Sequence, residues 1–397
     1  MEPTNRPNRP NTLLLVALTA FGPISTDLYL PSLPDMTRVF ATDVSMVQLT
    51  LSAFIAGFAV AQLIVGPLSD RFGRRPVLLA GVTFYLASSL FCLFAGSIGW
   101  LIAGRFLQAL GGCAGPVLGR AIVRDVYPRD EAARVLSTMA SIMALAPAMA
   151  PFLGGALHVT FGWRASFVLF VLFGGVLLTL GWRSLEETNR HPDRRALHPL
   201  LMLENYGTLL ADRKFVGYTL TLSLAFAWMF SFISGSSFVL IDTLGVKPQH
   251  FGFCFIVVVL GYMSGSFAAA RLTRRLGIER MIRFGVWLGV SAGIVLAGLA
   301  WTGIATVAAV VGPVAVMFFA AGLALPNSTA AALAPHPSLA GSASALLGFI
   351  QMAAGALAGW LVGWLHDGTT IPMASVIAIM AVGALLAHRL LITRLAS

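Results

Sequence analysis

The sequence predicts an all-α membrane protein whose twelve transmembrane helices form two pseudo-symmetric six-helix bundles. Three observations predict it. Of 397 residues, 57% are hydrophobic and 11% are charged, against about a quarter charged in a soluble domain, which excludes an ordinary soluble enzyme. The charged residues gather in short clusters between apolar runs of about 20 residues, the length that spans a bilayer. One polar stretch, Glu186 to Lys214, is longer than any other and carries Arg190, Arg194, Arg195, Arg213, Pro192 and Pro199.

Hydropathy places the first six spans at residues 12–34, 45–68, 77–96, 99–122, 136–159 and 164–185, and the second six at 215–240, 250–270, 281–301, 304–330, 340–365 and 371–393. The domain reading is therefore an N-terminal bundle (1–185), a cytoplasmic linker (186–214) and a C-terminal bundle (215–397). Met1 to Asn11 is short and polar, and the apolar run that follows is too long for a signal-peptide core, so it is read as the first retained helix.

Charge sets the expected orientation. The formal charge is +10, which in a soluble chain would point to nucleic acid. Here Arg6, Arg9 and the clusters Arg71 to Arg75, Arg120 to Arg134, Arg183 to Lys214, Arg271 to Arg283 and Arg389 to Arg394 put 22 basic residues on one side. Arg38, Arg164 and Lys247 lie on the other, and Arg105 lies within a helix. Cytoplasmic loops collect Lys and Arg, so both termini and the linker are expected in the cytoplasm and no nucleic-acid partner is expected.

A weak internal repeat supports the six-plus-six division. Gly66 to Arg75 aligns with Ala270 to Glu279, 204 residues later, and each closes the second helix of its half and leads into the third. Repeated halves around a central site are a common plan of secondary transporters.

The chain lacks a phosphate-cradling Walker loop, a His/Cys/carboxylate cluster at metal spacing and a nucleophile elbow. Neither cofactor nor metal is expected. Cys92, Cys113 and Cys254 are odd in number and lie within apolar runs, as small packing residues do. His250, His336, His366 and His388 fall near helix ends or in loops and read as interfacial.

With so few polar groups at membrane depth, each is informative. Asp27, in Ser25-Thr26-Asp27-Leu28-Tyr29, is the one acid placed well inside the hydrocarbon, about 22 Å above the start of its helix. A charge at that depth is a functional candidate by default; a fixed ion pair is the alternative. Arg105 falls at similar depth on the antiparallel fourth helix, with Gln108 and Gly112 on its face at i+3 and i+7; snorkelling to the outer headgroups is the alternative there. The fifth helix carries Pro147, Pro151, Gly154 and Gly155. The prolines interrupt its hydrogen bonds and the glycines admit a close neighbour, which suits a bend at a moving interface.

These residues resemble a known family. Gly66-Pro67-Leu68-Ser69-Asp70-Arg71-Phe72-Gly73-Arg74-Arg75 resembles the loop-2 signature of the major facilitator superfamily, Arg105 to Gly112 its helix-4 motif, and Pro147 to Gly155 the helix-5 motif of its antiporters. Ser25 to Pro34, with Val123-Arg124-Asp125 and Leu325-Pro326-Asn327, resembles the bicyclomycin-resistance family, which includes chloramphenicol and florfenicol exporters. The resemblance covers essentially the whole chain.

It implies the major facilitator fold, alternating access and proton-driven drug efflux across the bacterial inner membrane, with a small-molecule drug, protons and membrane lipid as partners and the chain acting as a monomer. Asp27 and Arg105 would couple the proton. Asp27, Tyr29, Arg105, Gln108, Phe226, Phe230, Ser231, Phe349 and Gln351 would bind substrate. Gly66, Asp70, Arg71, Gly73, Arg74, Arg124 and Asp125 would hold the bundles together in the outward-open state, with Pro147, Pro151, Gly154 and Gly155 at the moving interface. One deep acid and one deep base in an otherwise aromatic pocket favour neutral or zwitterionic amphipathic compounds, such as phenicols or bicyclomycin. Related multidrug exporters carry a second acid earlier in helix 1, where this chain has Thr19 and Ala20, so a second proton site is not expected. The alternative function is a proton-coupled metabolite exporter or symporter on the same fold.

Overall fold

The computed structural model describes residues 10–143, 145–190 and 192–392; Arg6, Arg9 and Arg394 lie outside them. All regular structure among the described residues is helical. The chain opens with α1 (Thr12–Thr19), α2 (Phe21–Asp27), a 3-10 turn at Leu30–Ser32 and α3 (Leu33–Val39). The first span is thus broken rather than straight, with Thr12–Thr19 and Phe21–Val39 bent by 44°. Pro31 and Pro34, which cannot donate to the preceding turn, fall at the starts of the two short segments.

Next come α4 (Val44–Phe72), α5 (Arg74–Leu93), α6 (Ile98–Gly112), α7 (Ala114–Val126), α8 (Arg129–Met143), α9 (Ala146–Phe161) and α10 (Arg164–Ser184). Asp43 caps α4 by accepting from the Met46 N–H at 2.9 Å, and that bond holds its carboxyl below the usual range. Ser97 caps α6. α6 and α7 together form the span Ile98–Val126.

The second half holds α12 (Arg213–Ser237), which runs on into a wide turn at Phe238–Thr243, then α13 (Phe251–Leu276), α14 (Ile278–Trp301), α15 (Val307–Leu333), α16 (Ala340–Trp364) and α17 (Ile371–Leu391). Between the halves, the stretch expected as a polar linker contains the helix α11 (Pro199–Ala211). Asp212 follows it and caps α12 through the Lys214 N–H at 2.8 Å. Burial pushes the Asp212 carboxyl up, but that bond and His336, 2.9 Å away, outweigh it and hold the group below the ordinary range.

Ten helices among the described residues are long and apolar enough to cross a membrane, and the bent first pair makes an eleventh. The remaining expected span, 136–159, coincides with parts of α8 and α9, which have 15 and 16 residues, each short of the ~20 that a bilayer requires. Pro147 sits in the first turn of α9, where a missing N–H costs nothing; residue 144, between α8 and α9, lies outside the described residues.

The repeated turn is exact in backbone terms. Gly73 and Gly277, paired by the 204-residue alignment, both stand in the left-handed region at φ +100° and +84° and stop the second span of their half as glycine C-caps do.

Between the halves the helices meet along two seams. In one, α4 packs against α16, where Gly348, Gly359 and Gly363 leave room for Gln62, Ser52 and Gln48. In the other, α9 packs against α13: Gly252 lies on the Phe152 backbone, and the Phe152 and Phe253 rings meet edge to face at 5.7 Å. This second seam lies at the end of the molecule opposite the arginine-rich loops, because α9 approaches that end and α13 leaves it.

Candidate functional site

The site starts from a buried cation. Arg105 is fully buried on α6, and no ion pair among the described residues neutralises it. Its guanidinium is held instead by neutral acceptors and rings. It donates to the Gln108 side chain at 2.5 Å, one helical turn along, and to the Ser25 main-chain carbonyl of α2 at 2.7 Å. The rings of Phe54 on α4 and Tyr29 lie 4.3 and 4.8 Å from it, within cation–π range.

The network continues inward. Gln108 donates to the Ser89 hydroxyl at 2.7 Å, Ser89 donates to the Tyr85 carbonyl, and the Tyr85 hydroxyl meets the Ser25 hydroxyl at 2.7 Å. Gly111 and Gly112 make this possible: a side chain at Gly111 would strike the Tyr85 backbone, and one at Gly112 would crowd its ring. Arg105, Gln108, Ser89, Tyr85 and Ser25 therefore bolt α2, α5 and α6 together. Ser25, Ser89 and Tyr85 were not singled out in the sequence.

Asp27 does not join that network. Arg105 takes the Ser25 main-chain carbonyl, two residues before Asp27, and among the described residues no ion pair joins it to the Asp27 carboxylate. Asp27 is buried, and its carboxylate accepts from the Thr26 hydroxyl at 2.9 Å. The two charges expected to share a polar stripe thus hold different partners. Tyr29 is likewise buried, with its hydroxyl bonded to Thr50 and its ring against Phe167.

The aromatic residues expected to line the pocket pack between α12 and α16. Phe226 and Phe230 stack on α12 with ring centroids 6.1 Å apart, and Gly355 and Gly359 of α16 are the surfaces they lie on. Ser231 turns its hydroxyl back to the Ala227 carbonyl of its own helix at 2.8 Å. Phe349 and Gln351 are half-buried on α16.

Gly154 and Gly155 face different bodies. A side chain at Gly154 would strike the Leu28 carbonyl, just beyond Asp27, while one at Gly155 would strike the Pro248 carbonyl, in the turn before α13. The pair therefore ties the segment after Asp27 to the seam between the halves. Pro151 lies one turn earlier within α9.

At the arginine-rich end, Arg74 is the hub. It pairs with Asp70 at 2.5 Å and Asp125 at 3.0 Å, and it donates to the Ser69 hydroxyl. Glu187, not foreseen from sequence, accepts from the Arg74 and Arg75 N–H groups at 2.8 and 3.1 Å, placing a carboxylate on the positive end of α5. Asn189 donates to the Ser69 and Asp70 carbonyls, and Thr188 to Asp125. Gly73 is required here, since a side chain would meet the Glu187 carboxylate. Arg71 lies over the Phe72 ring, Arg124 donates to the Arg120 carbonyl, and Gly66 packs against nothing nearby. Among the described residues, the partners named in this cluster belong to the first half or the start of the linker.

The second half has a counterpart built from histidine. His388, read from sequence as interfacial, is buried and lies 2.8 Å from Glu279, which also accepts from the Tyr218 hydroxyl at 3.1 Å.

Residues 15–359 match the Major Facilitator Superfamily. The chain is 36% identical over 384 residues to an uncharacterized MFS-type transporter, YdgK, of Bacillus subtilis (strain 168), covering 96% of this chain and 95% of that one. It is 32% identical over 390 residues to a bicyclomycin resistance protein homolog of Haemophilus influenzae, covering 96% of both. To multidrug resistance protein D of Escherichia coli (strain K12) it is 31% identical over 340 residues, covering 85% of this chain and 84% of that one. Among solved structures, a bacterial homolog of the human lysosomal transporter Spinster aligns with a TM-score of 0.72 at 17% identity, covering 96% and 97% of the two chains. The xylose transporter XylE from Escherichia coli aligns with a TM-score of 0.72 at 14% identity, covering 96% of each. These structures share the fold.

Proposed function

Because the chain belongs to the Major Facilitator Superfamily, we propose that this multi-pass membrane transporter exports drugs in exchange for protons by alternating access. The arginine-rich end and both termini lie in the cytoplasm on this reading, and the substrates are neutral or zwitterionic amphipathic compounds, with phenicols and bicyclomycin the first candidates.

The observation that carries the reading is the separation of Asp27 from Arg105. With Arg105 taken up by Ser25 and Gln108, the one hydrogen-bond partner of the Asp27 carboxylate among the described residues is the Thr26 hydroxyl. A carboxyl group free of a fixed counter-ion changes protonation when its solvation changes. Gly154 packs on the carbonyl of Leu28, the next residue, so movement of α9 between inward- and outward-facing states is transmitted to the acid's surroundings. Protonation from outside and release inside, in exchange for drug, then follow from the change of exposure. Arg105 acts indirectly, by fixing where α2 stands. The stacked Phe226 and Phe230 supply an apolar wall without charge, which suits an amphipathic solute.

A susceptibility panel on cells producing wild type or Asp27→Asn tests the reading, followed by proton-flux measurement in vesicles with any drug that separates them. Loss of resistance and of drug-induced proton flux in the variant, at unchanged protein level, is expected. Full export by Asp27→Asn overturns the coupling role, and a panel with no separation at all favours a metabolite carrier.

A further inference from the structure

The inner half of α7 carries two arginines that the site above does not use. The packed positions of this helix are Ala114, Gly115, Leu118, Gly119, Ile122 and Val123, which at about 100° per residue share one side. Arg120 and Arg124 stand on the opposite side, and both are exposed. Arg120 lies about 9 Å before the end of the helix at Val126, a depth at which a charge must face water or protein rather than lipid. The helices packed around α7 are α1, α4, α5 and α8. Of these, α4 carries one seam to the second half, and α8 leads into α9, which carries the other. The bare side of α7 therefore opens on the space between the halves, at the arginine-rich end.

The two side chains do not reach out towards the loops. Each donates its Nε–H one turn back along the helix, Arg120 to the Pro116 carbonyl at 2.9 Å and Arg124 to the Arg120 carbonyl at 3.4 Å. An arginine that only sought bulk water would extend the other way. Like charges one turn apart on a helix repel, and Arg124 is the charge beside Arg120. No ion pair among the described residues neutralises either. The helices α12, α13, α15 and α16 of the second half contain no acid. Around them, Asp212 meets His336 and Glu279 meets His388, while Asp125, next to Arg124, is held by Arg74. Asp27 is not the counter-ion. A side chain at Gly115 would strike the Leu18 carbonyl and one at Gly119 would crowd Thr19, so Arg120 stands level with the part of the first span some 12 Å before Asp27.

Two guanidinium groups set on one helix, wet and uncompensated, offer a planar set of donors that matches a carboxylate or sulfonate. We propose that Arg120, with Arg124 beside it, binds the negatively charged group of the transported compound on the arginine-rich side, so that the protein takes amphipathic anions and the negative end of zwitterions in preference to neutral compounds of the same shape. The inference rests on the export reading for the direction of travel, and the binding itself does not depend on Asp27.

The test uses the full chain in nanodiscs of phosphatidylcholine and two dyes of one skeleton, anionic 1-anilinonaphthalene-8-sulfonate and neutral N-phenyl-1-naphthylamine. Energy transfer from the protein's tryptophans, against empty nanodiscs, gives the affinity of each. Wild type should bind the sulfonate about tenfold tighter than the neutral dye, the scale of one hydrogen bond to a charged group. Arg120→Gln should erase that preference while leaving the neutral dye and the unfolding midpoint unchanged, and Arg120→Lys, which keeps the charge, should restore part of it. Equal affinities in wild type, or a preference that survives in Arg120→Gln, overturn the proposal. Displacement of the dye by sodium sulfate at constant ionic strength overturns the amphipathic part, since a small anion would then suffice. Loss of the preference when phosphatidylglycerol replaces phosphatidylcholine overturns it in favour of a lipid headgroup. Asp27→Asn should bind both dyes as wild type does, so a failure of proton coupling and a failure of anion binding are read separately.

Discussion

Arg105 donates to the main-chain carbonyl of Ser25 across 2.7 Å, two residues short of the only deep acid on its helix. The guanidinium thereby fixes the position of Asp27 without neutralising it. Two donors, a planar shape and two flanking rings are all used at once, and lysine offers a single point charge in their place. Arg105→Lys is expected to lose most transport while reaching the membrane, and Arg105→Met to lower stability by roughly 3 kcal/mol, the scale of losing hydrogen bonds to a charged group. Thermal unfolding in detergent measures the second; an unchanged midpoint would show that the network is not structural.

Gly155 sets the tightness of the seam between the halves. A methyl group there overlaps the Pro248 carbonyl of the other half, at a cost of about 1–3 kcal/mol for an overpacked contact, and the overlap disappears when the seam parts. Gly155→Ala should therefore favour the state in which this end is open. Ser32→Cys, at a buried position near the seam, reports it: its reaction with an impermeant thiol reagent should rise severalfold in the Gly155→Ala background.

Gln48 should act in the opposite sense. Its side chain is fully buried against Gly363, and neither its oxygen nor its nitrogen finds a hydrogen-bond partner among the described residues. Ser32, Ser52 and Ser237, also buried, are unpartnered too. Each such group costs about 1–3 kcal/mol while the helices are closed, and water relieves that cost when they separate. The closed seam is thus held less tightly than its packing alone would hold it. Gln48→Leu removes the penalty at similar volume, so Ser32→Cys labelling should fall and turnover should slow. Faster labelling would show that the amide stabilises closure.

What the sequence carried and what it hid divide along physical lines. Gly73 and Gly277 were legible as one repeated turn because a positive φ leaves a composition signal, and Asp70 with Arg74 because four residues on a helix bring side chains together. Ser25 was not, because its contribution is a main-chain carbonyl, which every residue owns. Glu187 reaches α5 across more than a hundred residues of chain, and no local pattern announces such a meeting. The helix at Pro199–Ala211 was missed for a related reason: hydropathy averages over about 20 residues and blurs anything shorter. Histidine at position 388 looked interfacial by position, and only packing shows that it is buried and meets the partly exposed Glu279.

The carboxylates at the arginine-rich end separate gate from scaffold. Glu187 accepts from two N–H groups at the start of α5, a capping role worth about 1 kcal/mol, and from the Asn189 N–H of the linker. Glu187→Gln keeps one acceptor and the shape but loses the charge facing the helix end, so it should lower thermal stability modestly and leave turnover within about twofold at that energy scale. Asp70 shares Arg74 with Asp125, and the family resemblance gives it a part in the outward-open state. Asp70→Asn should then cut turnover severalfold with little change in stability, because Asp125 retains the arginine in the present state. Transport assays paired with unfolding curves for the two variants decide it: equal losses of turnover and stability in both would make Asp70 scaffold as well, and unchanged transport by Asp70→Asn would end its assignment to the gate.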